Sequence, residues 1–172
     1  MSQVSKLRYV IDVETDALVN HTRMWCVVLK DIDTNEVHTF VGDQCFDGRL
    51  KLMLLRSSLL IGHNIIGFDY GVLEQYLGGG TIKRSVVVDT LVLSRLFQQD
   101  IPNGHSLEAR GERLSYPKQG YDDFSRYSED MLRYCINDVH LCHKVFTALT
   151  ERMKSTFDKA IEVEHRVAFL CL

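Results

Sequence analysis

Three groups of residues in this chain have types and spacings that could do chemistry. Asp12 and Glu14 stand two apart at the end of a β-forming run, LRYVIDV (Leu7–Val13), so on a strand both carboxylates project from one face. Side by side they repel, and each loses hydration beside a core. A divalent cation held by oxygen ligands, Mg²⁺ or Mn²⁺, would remove both costs. The plain alternative is a strand running out into a solvated polar turn. Tyr134 and Asp138 stand four apart in a long helical pattern and share one face. That face continues through Met131, Leu141/Cys142, Val145 and Leu149, so Asp138 interrupts an apolar stripe, where an unpaired carboxylate is costly. Its ordinary reading is a hydrogen bond to a neighbouring loop. Asp69 follows GHNIIGF at a strand–helix junction, where it reads equally as a helix N-cap. His63 and Asn64 read there as polar residues closing a strand.

The elements that must position these groups are legible as a pattern. Leu7–Val13, Met24–Lys30 and Glu36–Val41 read as strands, and the turn Asp31–Asn35 makes them an antiparallel meander. Phe46–Arg56 is an amphipathic helix with Leu50, Met53 and Leu54 on its apolar side. A short buried strand (Leu59–Gly62) precedes a helix (Tyr70–Leu77) that Gly78-Gly79-Gly80 stops. A fifth strand (Ser85–Asp89) leads into a helix over Thr90–Phe97. Both prolines, Pro102 and Pro117, lie between Gln98 and Asp123, the most irregular stretch of the chain. A long helix over Glu129–Arg152 follows, then another from Thr156 to the end. A meander followed by βαβα is an α/β layout: a mixed five-stranded sheet, its last strands parallel, with helices on both faces.

Composition narrows the classes. The chain has 172 residues, enough for one domain with a substantial core, and 45% of them are hydrophobic against 25% charged. No apolar run approaches the roughly 18 residues needed to span a bilayer, so no membrane is expected. Twenty Lys+Arg against 23 Asp+Glu give a net charge of −3, which excludes holding nucleic acid by bulk positive charge. Local patches or metal ions remain open. Five scattered cysteines make no C-x-x-C pair and no zinc spacing, which fits reduced thiols and a cytoplasmic location.

IDVETDAL, GHNIIGFDYGVLE and YCINDV, in that order, resemble the three motifs of the DEDD superfamily of 3′–5′ exonucleases. The chain is most similar to the N-terminal proofreading domain of phage family-A DNA polymerases. DTLVLSRLFQ and HSLEARGERL extend the likeness, which runs from about Tyr9 to Leu149. Tyr134, four residues before Asp138, marks the tyrosine subclass. The histidine subclass would need His where Arg133 stands, and His140 lies after Asp138.

The resemblance implies a ribonuclease H-like fold and two divalent ions, Mg²⁺ or Mn²⁺, held by Asp12, Glu14, Asp69 and Asp138, with Tyr134 orienting the attacking water. It implies release of nucleoside 5′-monophosphates from DNA 3′ ends, in proofreading during replication, in a bacterium or phage-infected cell. Thr15, Leu18 and Asn64 match substrate-contacting positions. Leu18 reads equally as core packing. Arg110, Arg113 and Lys118 are candidate backbone contacts, although the acidic residues interleaved with them read better as a solvated mixed-charge loop. The expected partners are single-stranded DNA or a frayed duplex 3′ end, and a DNA polymerase domain or subunit. Residues 1–153 are expected to form the exonuclease domain. Residues 154–172 are expected to form a C-terminal helix, either the start of a polymerase domain or a partner-docking segment. Two rivals stand beside this reading: an RNA-trimming exoribonuclease of the ribonuclease D type, and a catalytically silent DNA-binding domain.

Overall fold

A computed structural model describes residues 7–151, 153 and 158–172. Its centre is a five-stranded sheet in the order β3-β2-β1-β4-β5. β1 (Leu7–Thr15), β2 (Met24–Asp31) and β3 (Val37–Val41) form the antiparallel meander, while β4 (Ser57–Gly62) and β5 (Val87–Asp89) run parallel to β1. The mixed sheet matches the expected layout. β1 is the central strand, so its residues are covered on both sides.

Alternation along β1 divides two cores. Tyr9, Ile11 and Val13 face α1 (Arg49–Arg56) and α2 (Asp69–Leu77), packing with Leu50, Leu54, Val72 and Leu73. Val10, with Cys26, Val28 and Ile61 of its neighbours, faces α3 (Thr90–Phe97), α4 (Leu107–Arg113) and α5 (Glu129–Thr150). Met131, Cys135, Cys142, Val145 and Leu149 recur at helical spacing on α5 and are all buried there. Burial of each large side chain contributes roughly 1.5–3 kcal/mol. Asp12 and Glu14 share the α5 face with Val10, so α5 roofs the carboxylates as well as the core.

α6 (Asp158–Leu170) returns to the edge of the sheet. Its Phe169 enters the first core, and the backbone N–H of Asp89 donates to His165 Nε2 at 2.8 Å.

The structure differs from the sequence pattern in several places. Phe46 closes a 3₁₀ turn (Gly42–Phe46), and α1 starts only at Arg49, after Gly48 takes a left-handed backbone (φ 81°). Residues 84–86 form a 3₁₀ turn rather than strand, because pairing with β4 begins at Val87 opposite Leu60. α4 lies inside the stretch read as irregular: Ser106 caps it by accepting from the Ala109 N–H at 3.2 Å. The expected helix boundaries at Arg152 and Thr156 fall outside the described residues. No described helix is long and apolar enough to cross a membrane.

Candidate active site

The parallel strands place their C-terminal ends along one edge, and three groups of polar side chains collect there. Asp12 and Glu14 come from the end of β1, where the register with β2 slips between Glu14 and Thr15. The loop after β4 carries His63, Asn64 and then Asp69, and β5 ends at Asp89.

Asp89 anchors that loop. Its carboxylate accepts from the N–H groups of Asn64 (2.9 Å), Ile66 (3.1 Å) and, as the N-cap of α3, Leu91 (2.8 Å). Asn64 is thereby held in a left-handed backbone (φ 62°) with its side chain exposed, and Gly67 leaves room for it: a Cβ there would sit 2.6 Å from Asn64 Oδ1. Asp69 is not the N-cap that its position implied. Phe68 takes the cap position without a side-chain bond, because the chain has already turned into α2 when it reaches Asp69. The Asp69 carboxyl is buried, and its Oδ1 has no hydrogen-bond partner among the described residues.

α5 brings the remaining groups. The Cys135 thiol donates to the backbone oxygen of Asp12 at 3.6 Å, pinning the helix over β1, and ligand atoms of Asp12, Glu14 and Cys135 lie within 4.8 Å of one another. One turn along, Asp138 is buried. Its Oδ2 accepts from Lys118 Nζ at 2.7 Å, the bond to a neighbouring loop that its ordinary reading anticipated, but its Oδ1 is buried without a partner.

The electrostatics agree with this crowding. Burial, then the charge of Asp138, pushes Asp12 up to about 7, while burial and Asp12 push Glu14 up to about 11. Asp69 is raised well above the carboxylate range by burial and by Asp12; Asp138 is raised by burial and partly restored by Lys118. Among the described residues Lys118 is the cation paired with this cluster, and it is paired with Asp138. Two orphaned oxygens and protons held against ordinary acidity are what a hard-ligand divalent-ion site presents before its ion arrives. The donor set fits Mg²⁺ or Mn²⁺.

Two clefts meet at this cluster. A cavity of about 530 Å³ is lined by Asp12, His63, Asn64, Arg95, Lys118 and Asp138. The other, about 370 Å³, is lined by Glu14, Thr15, Leu18, Phe68, Phe124 and Tyr134. Leu18 is 79% exposed at its mouth, which overturns the core-packing reading: the chain leaves β1 at Thr15 and carries Leu18 out of the core. Thr15 is buried, and its hydroxyl donates to the backbone oxygen of Ala17 at 2.7 Å. Burial and the Asp138 charge raise the Tyr134 hydroxyl above its ordinary value, so it stays protonated at neutral pH.

Sequence reasoning missed part of this site. Lys118 is not on a solvated mixed-charge loop; its ammonium sits between Asp138 and the Tyr134 ring, 4.9 Å from the ring centroid. Arg110 is buried and donates to Gln98 Oε1, because α4 folds it inward. Tyr121 and Phe124 form a cluster with Tyr134, with ring centroids 5.1–6.2 Å apart. Their clustering in an otherwise polar stretch was the available signal. His63 Nδ1 lies 2.9 Å from Thr90 Oγ1, and that hydroxyl donates to the Gly62 carbonyl at 3.2 Å. On the other side of the ring, Nε2 is buried with no hydrogen-bond partner among the described residues. Burial, reinforced by Lys118 and Arg110, lowers His63 to about 4 and keeps it neutral.

No protein-family model and no curated protein sequence matches this chain. Its backbone is nevertheless shared with solved proteins. One described as the apo form of a nuclease is 24% identical over 95% of this chain and 80% of its own, with a TM-score of 0.71. Brucella melitensis NrnC with bound Mg²⁺ is 20% identical over 97% of this chain and 80% of its own, at 0.69. The family B DNA polymerase of the hyperthermophilic archaeon Pyrobaculum calidifontis is 16% identical over 84% of this chain but only 24% of its own, at 0.60. The sheet order, mixed pairing and two-sided helical cover are those of the ribonuclease H-like fold that these proteins share with it.

Proposed function

We propose that the protein is a metal-dependent 3′–5′ exonuclease that removes nucleoside 5′-monophosphates from DNA 3′ ends. The observation that carries this reading is the convergence of Asp12, Glu14, Asp69 and Asp138, whose proton-holding carboxyls include two buried oxygens with no partner. Two divalent ions bound by these four groups would activate a water for in-line attack and neutralise the leaving 3′ oxygen. Around them, this chain's own residues divide the work. The Tyr134 hydroxyl, held protonated, positions the nucleophile rather than abstracting its proton. Lys118, which pairs with Asp138 and lines the same cleft, would offer its charge to the phosphate when ions are held by Asp138. Phe68, Phe124 and exposed Leu18 offer apolar surface to the terminal base, and Asn64 faces the scissile end from the adjoining cleft.

A proofreading role beside a DNA polymerase is supported by the motif resemblance and by the polymerase among the structural neighbours. The RNA-trimming alternative would use the same site. NrnC, which shares 80% of its length with this chain and has also been solved bound to pGG, gives the higher TM-score.

A time course on 5′-labelled single-stranded DNA with Mg²⁺, beside EDTA and Asp138→Ala controls and matched RNA, tests both. A ladder shortening from the 3′ end and lost in both controls supports the proposal, and RNA degraded faster than DNA moves the substrate to RNA. Full activity in Asp138→Ala refutes the site.

A further inference from the structure

A further cavity, of about 520 Å³, opens beside α5 apart from the carboxylate cluster. Lys30, Tyr116, His140, His143, Lys144 and Thr147 line it. Lys30 comes from the end of β2, opposite Val10 on the α5 face, and is only 8% exposed. Its stem continues the apolar face of Cys26 and Val28, and its ammonium emerges at the cavity, where it meets His140 Nδ1 at 3.3 Å. An ammonium can only donate, so His140 Nδ1 accepts and its proton lies on Nε2. Lys144 Nζ reaches over the Tyr116 ring, 5.0 Å from the centroid. Among the described residues no carboxylate forms an ion pair with Lys30, Lys144, His140 or His143.

An ammonium partly withdrawn from water is normally matched by a carboxylate or shifted toward its neutral form. Burial and then Lys144 do lower the Lys30 pKa, and burial followed by Lys30 lowers that of His143. The walls thus carry two ammonium groups and two imidazoles, with no counter-charge. A cation is repelled there. A compact oxyanion, an acceptor on every side, supplies the missing charge and takes hydrogen bonds from the ammonium groups and from His140 Nε2–H. The cavity also flanks the chain that builds the carboxylate cleft: Tyr116 is two residues from Lys118, and His140 two from Asp138.

We propose that this cavity is a phosphate-binding site, distinct from the carboxylate cluster and occupied either by a phosphodiester of a bound strand or by a free phosphate or mononucleotide. The site itself does not depend on the exonuclease reading, and its test needs no turnover. In metal-free protein, inorganic phosphate titrated against chloride at equal ionic strength should shift the ring resonances of His140 and His143 saturably and raise the melting temperature. Both responses should vanish in the Lys30→Met/Lys144→Met protein and weaken in Lys144→Met, whose exposed side chain cannot be needed for folding. Arg56→Met, which removes an exposed cation on α1, should retain them. Single-stranded oligonucleotide then separates the sources: if a strand phosphate occupies the site, the double substitution flattens the slope of log affinity against log salt by about 0.7. An unchanged slope assigns the site to free phosphate or mononucleotide. No saturable shift, a shift that survives the double substitution, or binding of Zn²⁺ by the two histidines in place of phosphate overturns the proposal.

Discussion

Replacing Asp12 with Asn tests the central physical claim, that the carboxylates strain one another until a cation arrives. The Asp12 carboxyl titrates at about 7 in the folded protein against an ordinary 3.8. Between those limits the folded state holds a proton that the unfolded chain has released, so stability falls as pH rises from about 4 to about 7 and stays lower above it. At about 1.4 kcal/mol per pH unit this amounts to about 4 kcal/mol. That figure is a ceiling, since Asp138 and Glu14 share the same protons. For a chain of this size 1 kcal/mol moves the melting temperature by about 2–4 °C. Asn is neutral at every pH and nearly isosteric with protonated Asp. In EDTA, Asp12→Asn should therefore melt with the wild type near pH 4 and above it by up to about 8–16 °C at pH 8. With Mg²⁺ at pH 8 the order should reverse, because only the wild type gains stability by binding the ion. Melting curves from pH 4 to 8, with EDTA or Mg²⁺, read both effects. A variant that is no more stable than wild type in EDTA at pH 8 would refute the repulsion argument, and equal gains with Mg²⁺ would refute Asp12 as a ligand.

Tyr134→Phe keeps the aromatic cluster with Tyr121 and Phe124 but removes the hydroxyl that positions the nucleophile; cleavage should slow by about 10²-fold while Mg²⁺ still raises the melting temperature. An unchanged single-turnover rate would remove the hydroxyl from the mechanism. Gly62→Ala would set a methyl 2.6 Å from Ile65 Cβ, an atom fixed to the backbone, and should destabilise the protein by about 1–3 kcal/mol in urea unfolding. Leu18→Ala, at a 79% exposed position, should leave urea stability within about 0.5 kcal/mol of wild type while raising KM for single-stranded DNA. A stability loss comparable to a core truncation would return Leu18 to the core.

Local pattern was enough for the scaffold and for the acid residues themselves. Period-two alternation through Leu7–Val13, the meander turns and the apolar stripe of α5 are short-range regularities, and each produced the element it described. Asp12 with Glu14, and Tyr134 with Asp138, could be paired because strand and helix geometry fix which neighbours share a face. Asp69 could be noticed but not understood. Whether a carboxyl at a helix start caps the helix or faces a cleft depends on where the preceding loop turns, and here that loop is tied down by Asp89, 20 residues further on. The same limit hid Lys118 and Lys30. From the sequence, one reads as a solvated loop charge and the other only as the last residue of a strand. Their surroundings come from α5, with Asp138 and His140 20 and 110 residues away. Burial and charge pairing are set by which distant segments meet, so the sequence by itself determined the five strands, the helices other than α4, and which of these elements carry the four carboxylates. Only the tertiary structure decided which oxygens are left without partners and which ammonium groups stand without a counter-charge.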